Sequence, residues 1–127
     1  MSRAGLLLLM SCSAVVLLAN VALRSAMDRT HVKLFSNGLA GVPLELLGLL
    51  REPLFLMALC SYGAAMLIWF RLVATEPLSV SYPALAAATF VTVSLAGVVV
   101  FGEPLPFLRA LGLLFIVLGI SLVAFAQ

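Results

Sequence analysis

The chain has 127 residues, of which 65% are hydrophobic and 9% charged, and its mean hydropathy is +1.28. A soluble domain of this size leaves much of its surface in water and cannot hide so much apolar area, so the composition reads as an integral membrane protein. The formal net charge of +2 is small and its basic residues sit at helix ends, not in a patch, which gives nucleic acid no footing as a partner.

The amino terminus has the look of a targeting signal, with Arg3 ahead of Leu6 to Leu9 and a faint lipoprotein-like box at Leu9-Met10-Ser11-Cys12. The apolar run continues past that box to Leu23, too far for a cleaved signal, so the expectation is a retained first span over about 4–24. Arg24 closes this span, and Asn20 lies four residues before it on the same helical face. An arginine at the hydrocarbon boundary suits bidentate binding of a phosphate, with the Asn20 amide beside it. The competing reading is an end-of-helix arginine that snorkels to the headgroups.

Asp28, Arg29, His31 and Lys33 follow as a polar stretch suited to an aqueous connection. One histidine in a loop is no metal ligand set, and Cys12 and Cys60 both fall in apolar runs, where thiols act as small hydrophobes. Residues 32–50 are mildly apolar and broken by Gly38, Gly41 and Pro43; within them Pro43 to Leu50 reads as a short amphipathic helix lying in the interface.

The second span covers about 53–71, between Arg51 and Arg71. Tyr62, Met66 and Trp69 recur at i, i+4 and i+7 as one stripe. Trp69 beside Arg71 fits an interfacial aromatic belt, while the deeper Tyr62 hydroxyl calls for a partner or a cavity. The third span, about 77–101, belongs to a run of 26 uncharged residues between Glu76 and Glu103. Ser79, Ser81, Tyr82 and Pro83 crowd its first turns, and Thr89, Thr92 and Ser94 follow; Pro83 frees the carbonyl of residue 79 from its usual bond. This polar content marks it as the helix lining a pathway. The fourth span, about 106–126, carries Gly112 and Gly119 seven residues apart, a helix-packing or dimer face.

Glu-Pro-Leu occurs at 52–54, 76–78 and 103–105, each time just before an apolar run. Proline is at home in a first helical turn, and a carboxylate there meets the positive end of the helix dipole, so all three read first as helix starts. The first and third connections hold five of the seven Lys and Arg, which favours termini outside by the positive-inside tendency, though weakly enough to permit either orientation or an oppositely oriented partner. No nucleophile with a nearby base, paired intramembrane carboxylates or phosphate loop points to an enzyme or a cofactor.

The stretches Leu59-Cys60-Ser61-Tyr62 to Trp69-Phe70 and Leu78-Ser79-Val80-Ser81-Tyr82-Pro83-Ala84-Leu85 resemble the short four-helix members of the drug/metabolite transporter superfamily. The likeness is strongest to the branch of aminoarabinose-lipid flippase subunits, which move an undecaprenyl-phosphate-linked sugar across the bacterial inner membrane. That resemblance implies roles for Asn20 and Arg24 late in the first span, for Trp69, for the Ser81-Tyr82 opening of the third and for Glu103 ahead of the fourth. The glycine pair is similar to the small multidrug resistance branch. The multidrug exporters carry a glutamate mid-way along their first helix; here that region is Ala14-Val15-Val16-Leu17-Leu18.

The expectation is therefore an all-α integral membrane protein of four transmembrane helices in one domain, with a short interfacial segment between helices 1 and 2. It would work in the bacterial inner membrane as half of an antiparallel homodimer or of a heterodimer with a related subunit. The substrate implied is a lipid-linked sugar or other anionic lipid, met by Asn20, Arg24, Tyr62, Trp69, Ser81, Tyr82 and Glu103, without metal or cofactor. The alternatives are a small multidrug or cation exporter of the same fold and an accessory subunit of a membrane glycosyltransferase.

Overall fold

A computed structural model describes residues 2–30 and 41–125. Its helices are α1 (Arg3–Thr30), α2 (Val42–Leu49), α3 (Pro53–Thr75), α4 (Leu78–Phe101) and α5 (Phe107–Phe125), and the described residues hold no strand. Helices α1, α3 and α4 have 28, 23 and 24 residues, each long and apolar enough to cross a membrane. At 1.5 Å per residue they run about 35–42 Å, against roughly 30 Å of hydrocarbon. Helix α5 is shorter, with its apolar run over Phe107–Val123. The chain is an all-α membrane protein.

Helix α1 is the spine. Small residues on one face (Gly5, Cys12, Ala19, Ala22, Ala26) are buried, and α3 answers with Ala58 and Ala65. Where apolar lipid replaces water, helices associate by close packing, and small side chains permit it. The contact is tight enough for the Cys12 thiol to reach the Ala65 carbonyl at 3.5 Å. Helix α4 packs on a neighbouring face of α1, where the Ser13 and Thr92 hydroxyls meet at 3.5 Å. Helices α3 and α4 scarcely touch each other, and α5 packs mainly on α4. Two helices that lean on a common spine and scarcely meet leave a crevice between them, floored by α1.

The N-terminal turn fixes one end of this arrangement. The Ser2 hydroxyl accepts the Gly5 N–H at 2.9 Å, a helix cap of the usual kind. That hydroxyl also donates to Glu76 Oε1, to which the Ser2 N–H donates as well at 3.0 Å. Glu76 is buried over Gly5, whose missing side chain makes the approach possible: a Cβ there would lie 2.6 Å from the Glu76 Cδ. The donors hold the Glu76 carboxyl below its ordinary range, the Ser2 hydroxyl first.

Two details depart from the sequence reading, while the short helix between α1 and α3 follows it. Helix α1 continues beyond the expected boundary at Arg24 to Thr30, because Ala26 is buried and Arg24 pairs with Asp28 one turn on, so Asp28 and Arg29 are helical rather than in a connection. The interfacial segment contains α2, of which only Leu49 is buried while Leu44, Leu46 and Leu47 face outward. The Glu-Pro-Leu tripeptides place Pro53 as the first residue of α3, as expected, and Pro77 just ahead of α4, yet Glu52 makes no side-chain cap bond and Glu76 serves α1 instead. His31, Lys33 and the 32–40 part of the interfacial segment lie outside the described residues.

Candidate functional site

Helix α1 carries Cys12, Val16, Asn20 and Arg24 at four-residue spacing, one stripe along about 18 Å of its length. Two cavities open onto it, one between α1 and α4 at the Asn20–Arg24 half and one in the crevice at the Cys12–Val16 half.

The first is a cavity of about 330 Å³ between the C-terminal halves of α1 and α4, lined by Asn20, Arg24 and Met27 on one side and by Gly97, Phe101 and Glu103 on the other. Its shape follows from how α4 ends. Gly102 adopts φ 64°, a left-handed conformation that glycine takes without strain, and its N–H bonds the Val98 carbonyl at 3.1 Å. The Glu103 N–H then bonds the Gly97 carbonyl at 3.0 Å, so the chain folds back and aims Glu103 at α1. Gly97 leaves room for this, since a Cβ there would sit 3.0 Å from Glu103 Oε2.

Arg24 is met from two sides. Its Nη1 lies 3.2 Å from Glu103 Oε1 and its Nε 3.5 Å from Asp28 Oδ2. Its guanidinium carbon stands 5.4 Å from the centre of the Phe101 ring, a cation–π distance. Both ion pairs are about half exposed, so they hold the side chain in place without contributing much stability. One N–H of Asn20 is spent on the Val16 carbonyl at 2.8 Å, which fixes the amide along its own helix. The result is a guanidinium held at the end of the apolar run of α1, facing a cavity and able to exchange a carboxylate partner for another oxyanion.

The second cavity, of about 320 Å³, lies deeper and is lined by Val16, Tyr62, Met66, Trp69 and Tyr82. The Tyr62, Met66, Trp69 stripe of α3 thus faces a groove, as the deep tyrosine required. Trp69, for which an interfacial belt was the simpler reading, packs edge-on against Tyr82 with ring centroids 5.9 Å apart and planes at 66°. This pair joins α3 to α4 across the crevice.

The structure brings Asn20, Arg24 and Glu103 to one cavity and Tyr62, Trp69 and Tyr82 to the other. Ser81 lines neither: it is fully buried and donates to the Pro77 carbonyl at 2.9 Å. Thr92 likewise bonds back to the Ala88 carbonyl, at 2.8 Å. Gly112 and Gly119 lie on α5 with open space where a Cβ would stand. Asp28, Gly97 and Phe101 escaped the sequence reading. Only the Gly102-Glu103-Pro104 turn signal hinted that α4 ends so as to place them.

No family model matches the chain, and no solved structure is similar to it. Curated relatives do match. Each of three bears the name "probable 4-amino-4-deoxy-L-arabinose-phosphoundecaprenol flippase subunit ArnE". The protein from Erwinia tasmaniensis is 37% identical over 75 residues, covering 57% of this chain and 68% of its own length. That from Yersinia pseudotuberculosis serotype O:1b is 41% identical over 68 residues, covering 54% and 59%, and that from Enterobacter sp. strain 638 is 36% identical over 66 residues, covering 52% and 61%. The chain thus spans about three fifths of the length of the last two relatives.

Proposed function

Because the chain belongs to the family of the 4-amino-4-deoxy-L-arabinose-phosphoundecaprenol flippase subunits, we propose that it is a transporter subunit that carries a polyprenyl-phosphate-linked sugar across the membrane. It is a multi-pass protein of the bacterial inner membrane. The observation that carries the proposal is Arg24: a guanidinium at the end of the first apolar run, facing a cavity of headgroup size with Asn20 one turn deeper. Glu103 pairs with that guanidinium. A lipid phosphate takes its place through two parallel N–H···O bonds, the geometry that distinguishes arginine from lysine.

The remaining steps need no covalent chemistry. The sugar follows the α1 stripe from the Arg24 cavity toward the aromatic groove, where Tyr62, Trp69 and Tyr82 offer ring faces and hydroxyls to a pyranose. The polyprenyl tail stays in lipid through the crevice between α3 and α4. A single copy of four short spans encloses little volume, so alternating access is completed by a second subunit, an antiparallel copy or a related chain, for which the open Gly112 and Gly119 face of α5 is the proposed seat.

The test is translocation of a radiolabelled short-chain polyprenyl-phosphate sugar in liposomes, with the chain alone and with any subunit that copurifies. Transport in the wild type that disappears in Arg24→Ala supports the proposal. Folded wild-type protein that moves no such lipid in either preparation refutes it.

A further inference from the structure

Arg24 ends an apolar run and is about half exposed, the situation in which an arginine bends away and snorkels to the headgroups. Something must hold its guanidinium over the cavity instead. Among the described residues three groups meet it: Glu103 at Nη1, Asp28 at Nε, and the Phe101 ring, over which the guanidinium carbon stands at 5.4 Å. Two of the three fail as restraints once a ligand arrives. Glu103 is the partner that an incoming oxyanion displaces, so its pull ends with the exchange. Asp28 lies one turn farther along the same helix and does not line the cavity. By itself it draws the side chain along α1 and away from the opening.

Phe101 has neither defect. It is the last residue of α4, across the cavity from α1, and it lines that cavity. A ring attracts a cation through its face and uses none of the guanidinium's N–H donors, so its hold persists while the anionic partner changes. Its own place is fixed by backbone. The left-handed Gly102 follows it directly, and the bonds from Gly102 N–H to the Val98 carbonyl and from Glu103 N–H to the Gly97 carbonyl close the end of α4. We infer that Phe101 is the positioning residue of this site: its ring face keeps the Arg24 guanidinium turned into the cavity, so that paired N–H groups are presented together to a phosphate.

Orientation matters more to an arginine than to a lysine. A planar fork makes two parallel bonds only in one orientation, whereas an ammonium on its flexible stem turns its donors to suit. The ring should therefore matter much to an arginine and little to a lysine in the same place. A phenylalanine that merely filled space would show no such difference.

This inference rests on the reading of Arg24 as the phosphate ligand, and its test separates the two. The probe is a radiolabelled short-chain polyprenyl-phosphate sugar bound to the full chain in detergent micelles, with helical content checked by circular dichroism. Phe101→Leu keeps apolar bulk without a ring and is expected to weaken binding about three- to tenfold, the cost of freeing one long side chain. Phe101→Tyr restores the ring face and is expected to bind within about twofold of the wild type. In the Arg24→Lys background, Phe101→Leu should cost less than about twofold. A Phe101→Leu protein that binds like the wild type overturns the inference and leaves the phosphate reading standing. A loss of equal size in both backgrounds overturns it too, because the ring would then act on the lipid itself. So does a Phe101→Tyr protein as weak as Phe101→Leu. An Arg24→Ala protein that binds like the wild type overturns the phosphate reading and this inference together. Nuclear magnetic resonance of the wild type needs no variant. A through-space contact between the Phe101 ring and the Arg24 side chain is expected to survive lipid binding, and its loss on binding overturns the inference even where Phe101→Leu fails to fold.

Discussion

Arg24→Ala is the most informative single change, because its structural and functional effects are expected to differ by orders of magnitude. Arg24 makes two half-exposed ion pairs, worth about 0.2–1 kcal/mol each, and one exposed cation–π contact of about 0.5–1 kcal/mol. The α1–α3 seam, with Ala19, Ala22, Ala26 and Leu72 buried, does not involve it. Stability is therefore expected to fall by no more than about 3 kcal/mol. The loaded state loses far more. Two charge-assisted bonds to a phosphate are worth about 1.5–3 kcal/mol each, and Asp28 and Glu103 are left facing the anion without their counter-ion. After setting aside the ion pairs that the wild type must break on binding, lipid affinity should fall roughly 100- to 1,000-fold. Arg24→Lys keeps the charge but not the fork and should fall between, at about tenfold. The assays are equilibrium binding of a polyprenyl-phosphate sugar in micelles and thermal unfolding followed by circular dichroism. An Arg24→Ala protein that melts like the wild type yet binds the lipid within about threefold of it would show that the phosphate lies elsewhere.

Gly97→Leu fills the cavity between Glu103 and α1, so transport should be lost while the helical content measured by circular dichroism is retained; normal transport would mean the headgroup does not enter there. Ser2→Ala removes both the cap on Gly5 and the hydroxyl bond to Glu76; the cap alone is worth about 1 kcal/mol, read as a lower unfolding midpoint. The Glu76 carboxyl is held below its ordinary range, so its contribution is whole above that range and is lost as pH falls through its lowered value; the acid-side decline in the unfolding midpoint should shrink in Glu76→Gln, and an unchanged decline would refute the tie. Trp69→Ala opens the aromatic groove and leaves the Arg24 cavity intact, so transport should slow with lipid-phosphate affinity little changed, and a parallel loss of both would merge the two cavities into one site.

The spans were legible because membrane helices must satisfy their backbone internally and hold long apolar runs, which hydropathy reads directly. The groove stripe Tyr62, Met66, Trp69 was legible for a similar reason: helical spacing alone puts the three on one face. The exit of α1 was not. Its apolar run ends near Arg24, but the helix runs on to Thr30 because Arg24 and Asp28 pair one turn apart and Ala26 is buried, and hydropathy has no view of either contact. Gly97 and Phe101 were invisible for a deeper reason. Nothing in their own neighbourhood distinguishes them from other residues of α4; they matter because the left-handed Gly102 folds the chain back over them toward α1.

The three Glu-Pro-Leu tripeptides make the same point and carry it further. Their local sequence is identical, and what each glutamate does depends on what stands opposite. Glu52 precedes α3 without a cap bond, Glu76 meets Ser2, and Glu103 meets Arg24. Ser2 and Arg24 are 22 residues apart, near opposite ends of α1 and so separated by about 33 Å. The two ends of α4 are thus tied to the same spine by unlike bonds. At the Ser2 end a buried carboxylate accepts two short-range donors over a glycine that admits no side chain. At the Arg24 end two half-exposed ions face each other across a cavity, where water and salt screen them and a ligand can replace either one. The Arg24 tie is thus the one a ligand can exchange, and the Glu76 tie the one built to stay. With charge at the Arg24 end of the α1 stripe and aromatic faces farther along it, a headgroup entering beside Arg24 would meet the charge first and the rings second.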